Sequence, residues 1–333
     1  MELLHNFSER GNSSSSEQGA SPQSSLEILN IIKYALILPL SILLVAIDLY
    51  IIFGICRNRN LRSISNYFLD NLLASELIYI LVIFFDNLLL LSPAGCNNCE
   101  NTHLYVFVVT SMHLLYFLCG ICFAVDKYIK ITRPLRYTQL ITNRICITFV
   151  GVAWVLPFAA GGLALVLFRN LVRCKNPKDL RIELQQAILI LSDGVVLPML
   201  MIIMGLNMKI ICIVRHQTRA IANMAPQHHA DSDNHNDISD QQQQAVCKST
   251  RYFKAFLWSF VLVWVPPILI ENISYILPHS RGNLLWYVGI RNAMNVLGLC
   301  QMLYGTVVLT LKQEQFRELW RGHWQIIKQK LHI

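Results

Sequence analysis

Charge is scarce in this chain. Only 14% of its 333 residues are Asp, Glu, Lys or Arg, while 54% are hydrophobic. An ordinary soluble domain carries about a quarter of its residues charged, so a soluble globular domain is excluded and a protein that crosses the membrane several times is predicted. Catalytic signatures are missing as well. No Gly-x-Ser-x-Gly, His-Glu-x-x-His or Gly-Asp lies in the apolar stretches, so no catalytic residue, cofactor or metal site is predicted and an enzyme is not expected. No internal repeat is present, which argues against a transporter built from inverted repeats. No basic segment followed by an apolar core opens the chain, so the first span is expected to act as its own signal anchor rather than follow a cleaved leader.

Apolar runs are what the chain has in abundance. Seven are found, at about 29–55, 67–91, 104–125, 145–168, 184–214, 253–277 and 284–311, each long enough for a hydrocarbon core about 30 Å thick at 1.5 Å of rise per residue. The predicted fold class is therefore all-α membrane: a seven-transmembrane helix bundle over 29–311. It is preceded by a Ser-rich polar tail, 1–28, and followed by an amphipathic helix and tail, 312–333. In that last segment Phe316, Leu319, Trp320, Trp324, Ile327 and Leu331 recur at helical spacing opposite Arg317, Arg321 and Lys328, the pattern of a helix lying on a membrane surface.

The Lys and Arg residues set the orientation. Of the 28, 19 fall in the first and third inter-span loops, around the long loop before the sixth span, and in the tail. The positive-inside rule then puts the N-terminus outside and the C-terminus inside. The net charge of +8 is accordingly a topology signal. It is directed at membrane lipid on the cytoplasmic side, not at nucleic acid. Asn6 and Asn12 head two sequons in the outward tail and are glycosylation candidates. Residues 215–250, with His228, His229 and His235 among Asp and Gln, lack the spacing of a metal site and read as a polar linker.

The most informative stretch is the third span and its sequel. Its apolar run from Leu104 to Val125 ends abruptly in Asp126-Lys127-Tyr128, and Pro134-Leu135-Arg136-Tyr137 follows. These blocks resemble the Asp-Arg-Tyr and Pro-Leu-Arg-Tyr elements of rhodopsin-like (class A) G-protein-coupled receptors. The second span, with Asn66, Leu69, Leu72 and Ala74, resembles the family's second helix, and Phe260-Val-Leu-Val-Trp264-Val-Pro266 its sixth. Trp154 and Pro198 match the tryptophan of helix four and the proline of helix five. Loop one, residues 74–81 and Trp320-Arg321-Gly322-His323 resemble divergent orphan members. The resemblance covers roughly 29–331.

Departures from the family pattern are as informative. Asp48 stands at the family's helix-one Asn and Glu76 at its helix-two Asp. Two acids at that depth must face the bundle interior, because an unpaired one costs at least about 2.5 kcal/mol on insertion. A proton-sharing pair is expected of them, with Tyr116 replacing the small hydroxyl residue that a sodium site would use. Leu206 occupies the position of a helix-five Tyr. The helix-seven Asn-Pro-x-x-Tyr falls on Gly305–Leu309 if Phe316-Arg317 is the anchor, or on Cys300–Tyr304 if Tyr304 is.

The resemblance implies a receptor that transduces an extracellular signal to heterotrimeric G proteins by outward movement of helix six, from the plasma membrane. It implies Asp126, Lys127 and Tyr128 as the G-protein switch and Phe260, Trp264 and Pro266 as the helix-six switch. A ligand pocket near Asp86, Val109, Met112, His113, Trp264, Glu271 and Arg291 is also implied. It further implies a disulfide between the top of helix three and the following outer loop, Cys99 with Cys174 or alternatively Cys96 with Cys174. The aminergic Asp position is Val109, which argues against a monoamine. Two other readings stay open at this point. One is a chemosensory, odorant-like receptor, suggested by the spacing of Gly305–Arg317. The other is a seven-span scaffold or transporter that does not signal.

Overall fold

A computed structural model describes residues 22–91, 99–171, 192–224, 263–270, 272–273, 281–311 and 314–330. Among these residues the chain is helical throughout, without a strand. The helices are α1 (Pro22–Arg57), α2 (Ile64–Leu91), α3 (Cys99–Thr132), α4 (Asn143–Leu171) and α5 (Leu197–Met224). The helical stretch 263–270 is α6, followed by α7 (Arg281–Leu311) and α8 (Glu314–Lys330).

Six of these helices are long and apolar enough to cross a membrane, over Ile31–Arg57, Ile64–Phe84, Phe107–Thr132, Asn143–Leu167, Gly194–His216 and Asn292–Thr310. The expected sixth span, 253–277, lies largely outside the described residues. Helix α1 starts at Pro22, several residues before the apolar run. Its side chains Ile31, Ile42, Leu49 and Phe53 are exposed, as are Ile147, Val155, Leu163 and Val166 on α4. Apolar surface of this kind needs a hydrocarbon solvent, and lipid supplies one.

Helix α3 is the axis of the bundle. It packs on α2, α4 and α5, while α1 packs on α2 and α7. Its side chains Leu115, Phe117 and Cys119 are buried completely or nearly so, as a helix surrounded by others must be. Small residues let α4 approach: a Cβ on Gly161 would overlap the Ser111 hydroxyl and come within 3.2 Å of the Phe107 carbonyl. One π turn over Ser192–Val196 precedes Pro198 on α5, where the missing proline donor falls in a turn that is already irregular.

The helix ends on the side of the α1–α2 turn are tied by polar contacts. The Arg62 guanidinium caps α1 by donating to the Cys56 carbonyl, one of the orphan acceptors of a helix C-terminus. Asn66 Nδ2 donates to the Leu61 carbonyl at 2.7 Å. Helix α8 docks beneath α1: Phe316 is fully buried and the Trp320 ring meets Tyr50 edge-on with centroids 5.2 Å apart.

Candidate functional site

Asp126 ends the apolar part of α3 and is 1% exposed. A carboxylate buried this far must be paired and hydrogen-bonded, and three partners converge on it. Ser65, in the first turn of α2, donates its hydroxyl to Oδ2 at 2.6 Å. Tyr137, immediately after Pro134-Leu135-Arg136, donates its phenol to Oδ1. Lys127 Nζ lies 3.5 Å from Oδ2 and donates to Ser65 Oγ at 2.7 Å.

The Lys127 ammonium also sits 4.7 Å from the centre of the Phe123 ring, at cation–π distance. Lys130 lies over the Tyr137 ring at 5.9 Å. Burial, and then the hydrogen bond to Asp126, hold the Tyr137 phenol above its ordinary value, so it stays a donor. The network therefore ties α3 to α2 and to the loop after α3 through one carboxylate.

Of the three sequence-predicted switch residues, Asp126 and Lys127 are brought together in this network, and Tyr128 is half-buried outside it. Ser65, Phe123 and Tyr137 complete it. Tyr137 was visible in the Pro-Leu-Arg-Tyr block. Ser65 and Phe123 carry no local signature, because their role depends on how α2 meets α3.

Deeper in the bundle, Asp48 on α1 and Glu76 on α2 are buried and interact electrostatically. The Thr306 hydroxyl of α7 donates to Glu76 Oε2 at 3.2 Å, whereas both Asp48 oxygens are buried without a hydrogen-bond partner among the described residues. Thr306 is 2% exposed and Tyr304 37%. The inward face of α7 thus carries Gln301, Met302 and Thr306, while Tyr304 turns away from it. No group of three His, Cys, Asp or Glu among the described residues could hold a metal ion.

Below the acid pair runs a cavity of about 50 Å³, lined by residues from Glu76 and Tyr116 at one end to Lys127 at the other. Above it is an aromatic floor. Trp264 of α6 stacks on Tyr116 with centroids 5.6 Å apart and meets Phe117 edge-on at 5.0 Å. Tyr116 stacks in turn on Tyr79 at 5.5 Å. His113 Nδ1 is 2.8 Å from the Val109 carbonyl, and Nε2 is 3.2 Å from the Tyr79 hydroxyl. A carbonyl only accepts, so Nδ1 carries the proton, and in the neutral imidazole Nε2 then accepts from the Tyr79 hydroxyl. Among the pocket residues predicted from sequence, Val109, Met112, His113 and Trp264 share this region, all half-buried. Pro266 lies within α6, two residues beyond Trp264.

The other predicted positions fall elsewhere. Asn6, Asn12, Cys96, Cys174, Phe260 and Glu271 lie outside the described residues, and so do the side chains of Asp86, Cys99 and Arg291.

A bundle of membrane-crossing helices, an acid-capped α3 and a proline-bearing α6 packed on it by a tryptophan define a seven-helix receptor. The pattern described as "7 transmembrane receptor (rhodopsin family)" matches residues 48–303, and the chain belongs to that family, whose members are receptors and not enzymes. Over 272 residues it is 25% identical to adenosine receptor A2a of Canis lupus familiaris, covering 75% of this chain and 62% of that receptor. It is 24% identical over 272 residues to trace amine-associated receptor 365 of Petromyzon marinus, covering 77% and 70%. It is also 28% identical over 153 residues to olfactory receptor 10J5 of Homo sapiens, covering 44% and 48%. The chain thus spans less than two thirds of the canine receptor's length.

Proposed function

We propose that this chain is a plasma-membrane receptor with an extracellular N-terminus, which passes the binding of an extracellular ligand to heterotrimeric G proteins. A ligand that favours an outward-tilted α6 shifts the population toward a state with an open cytoplasmic cleft. The observation that carries this reading is the network at the foot of α3, where one buried carboxylate holds α2, α3 and the following loop through Ser65, Lys127 and Tyr137. Beside it Leu135 is 94% exposed and offers an apolar side chain to a cytoplasmic partner. Lys127 is the central cation of the switch.

The relatives' names point to adenosine, trace amines and odorants, so the pocket has to supply the ligand preference. The position that carries the aminergic acid is Val109, which removes the counter-charge a monoamine would need. A ligand that stacks on the Tyr79, Tyr116 and Trp264 rings and hydrogen-bonds near His113 fits it best. The test is agonist-independent G-protein activation in cells, comparing wild type with Lys127→Arg at matched surface density. In the open cleft the guanidinium fork can donate to several groups of the partner at once, which an ammonium cannot, so the Arg variant is expected to signal above wild type. Equal signalling by wild type, Lys127→Arg and Lys127→Met would contradict the assigned role of Lys127.

A second reading, a chemosensory receptor, is favoured by the olfactory relative. It predicts expression confined to sensory epithelium, and broad tissue expression would count against it.

A further inference from the structure

Asp70 is an intramembrane acid that neither buried acidic site uses. It lies six residues inside the α2 span that starts at Ile64, about 9 Å along the helix at 1.5 Å per residue. Tyr67, Asp70, Ala74, Ile78 and Leu81 form the least buried stripe of α2, with Tyr67 47% and Leu81 51% exposed. Asp70 therefore stands on the face turned to lipid. Its Oδ1 is nonetheless buried and has no hydrogen-bond partner among the described residues. An ionisable side chain at this depth is costly unless a partner covers it, and a carboxyl on a single methylene is too short to snorkel to the headgroups.

A matching counter-charge stands on another face of the bundle. Lys209 of α5 is exposed and lies seven residues before its span ends at His216, about 10 Å along the helix. Successive spans alternate in direction, so the start of the α2 span and the end of the α5 span lie at the same face of the membrane. The two charges thus share one depth. Met201, Ile202, Gly205 and Met208 share the exposed stripe with Lys209. Each charge also has a small residue one turn deeper in the membrane, Ala74 beside Asp70 and Gly205 beside Lys209. A Cβ on Gly205 would meet nothing within 4 Å, and small residues on an open stripe let another helix approach closely.

Within one copy the two charges cannot meet. Helix α3 packs on both α2 and α5, and Asp70 and Lys209 are on the stripes which that packing leaves open. We propose that copies of this chain associate in the membrane through Asp70 on α2 of one and Lys209 on α5 of the next. The carboxylate accepts from the ammonium, whose flexible four-carbon stem bridges helices packed over Ala74 and Gly205. Each copy offers two different surfaces, so the contact is heterologous and extends into rows or closes into rings. It depends neither on what the receptor binds nor on how it signals.

The test is association of full-length receptor in proteoliposomes. It is read by resonance energy transfer between C-terminally labelled copies as the protein-to-lipid ratio rises, and by counting photobleaching steps per assembly. Asp70→Leu and Lys209→Leu, each alone, should move half-maximal transfer to a roughly tenfold higher ratio, the effect of losing one charged hydrogen-bonded pair. Mixing the two variants is the decisive arm. The Lys209→Leu copy keeps the acid and the Asp70→Leu copy keeps the base, so transfer between them should return to the wild-type ratio and stop at two copies. Thermal unfolding of each variant controls for folding, and Asp70→Lys/Lys209→Asp, which exchanges the charges, should associate like wild type. A wild type that stays monomeric, or single variants that associate as wild type does, overturns the proposal. So does loss with Asp70→Leu alone, which keeps the acid as a contact but removes Lys209 as its partner. Single variants that lose association and do not regain it on mixing assign both effects to packing and overturn it too.

Discussion

Two buried acidic sites lie along the same bundle, and they are built in opposite ways. At the foot of α3, Asp126 is surrounded by donors: two hydroxyls and an ammonium. Near mid-membrane, Asp48 and Glu76 lie beside each other as like groups, and the one hydroxyl between them, Thr306, makes its hydrogen bond to Glu76 at 3.2 Å. A saturated network of this kind fixes one arrangement of helices, because breaking it exposes a charge without a partner. An undersaturated pair fixes little. The lesson is that the site at the foot of α3 carries the structural lock, while the mid-bundle pair holds the helices less tightly.

The sharpest way to break the comparison is to remove each acid in turn. Asp126→Ala leaves the Lys127 ammonium buried without its counter-charge and should cost about 3–5 kcal/mol, read as a lower unfolding temperature of the purified protein. Gly161→Ala serves as a control distant from both sites. Its methyl would overlap Ser111, so α3 and α4 must part, at a cost of about 1–3 kcal/mol. It should do so without changing ligand-independent exchange per folded receptor.

The other acid should respond with the opposite sign. Asp48→Asn removes a buried carboxyl from beside Glu76 and is expected to stabilise by about 1 kcal/mol, seen as a higher unfolding temperature. A drop as large as that of Asp126→Ala would erase the contrast between the sites.

The smallest effect concerns pH. The folded state holds Tyr137 above its ordinary 10.0, so the unfolded chain releases this proton first. The stability linked to it is complete below pH 10 and is lost as pH rises beyond that. Wild type should therefore lose stability more steeply above pH 10 than Tyr137→Phe, which has no proton to lose. Parallel curves would remove the phenol from the network.

Much of this was legible in the sequence, for definite reasons. Span length and the abrupt change from Val125 to Asp126 mark α3 and the end of its apolar run, because hydrocarbon thickness and charge placement leave little freedom. Asp48 and Glu76 could be expected to meet inside, since no acid of that depth faces lipid cheaply. The partners were harder to read. Ser65 and Phe123 acquire their roles only when α2 and α3 pack, and sequence spacing holds no record of that contact. Two alignments of α7 are open to motif matching, and residues of both, Gln301 and Met302 as well as Thr306, are buried along the cavity. On α5 the position that matches the family's tyrosine is Leu206, yet the buried residue that lines the cavity is its neighbour Asn207. A one-residue difference in facing is below the resolution of motif matching.

The most direct measurement compares ligand-independent GTPγS exchange by G protein with wild type, Asp126→Asn and Asp48→Asn receptors in identical nanodiscs. If the saturated network is the lock, Asp126→Asn raises exchange several-fold and Asp48→Asn leaves it at the wild-type level. Equal responses from the two variants, or a rise from Asp48→Asn alone, would contradict the placement of the switch at the foot of α3.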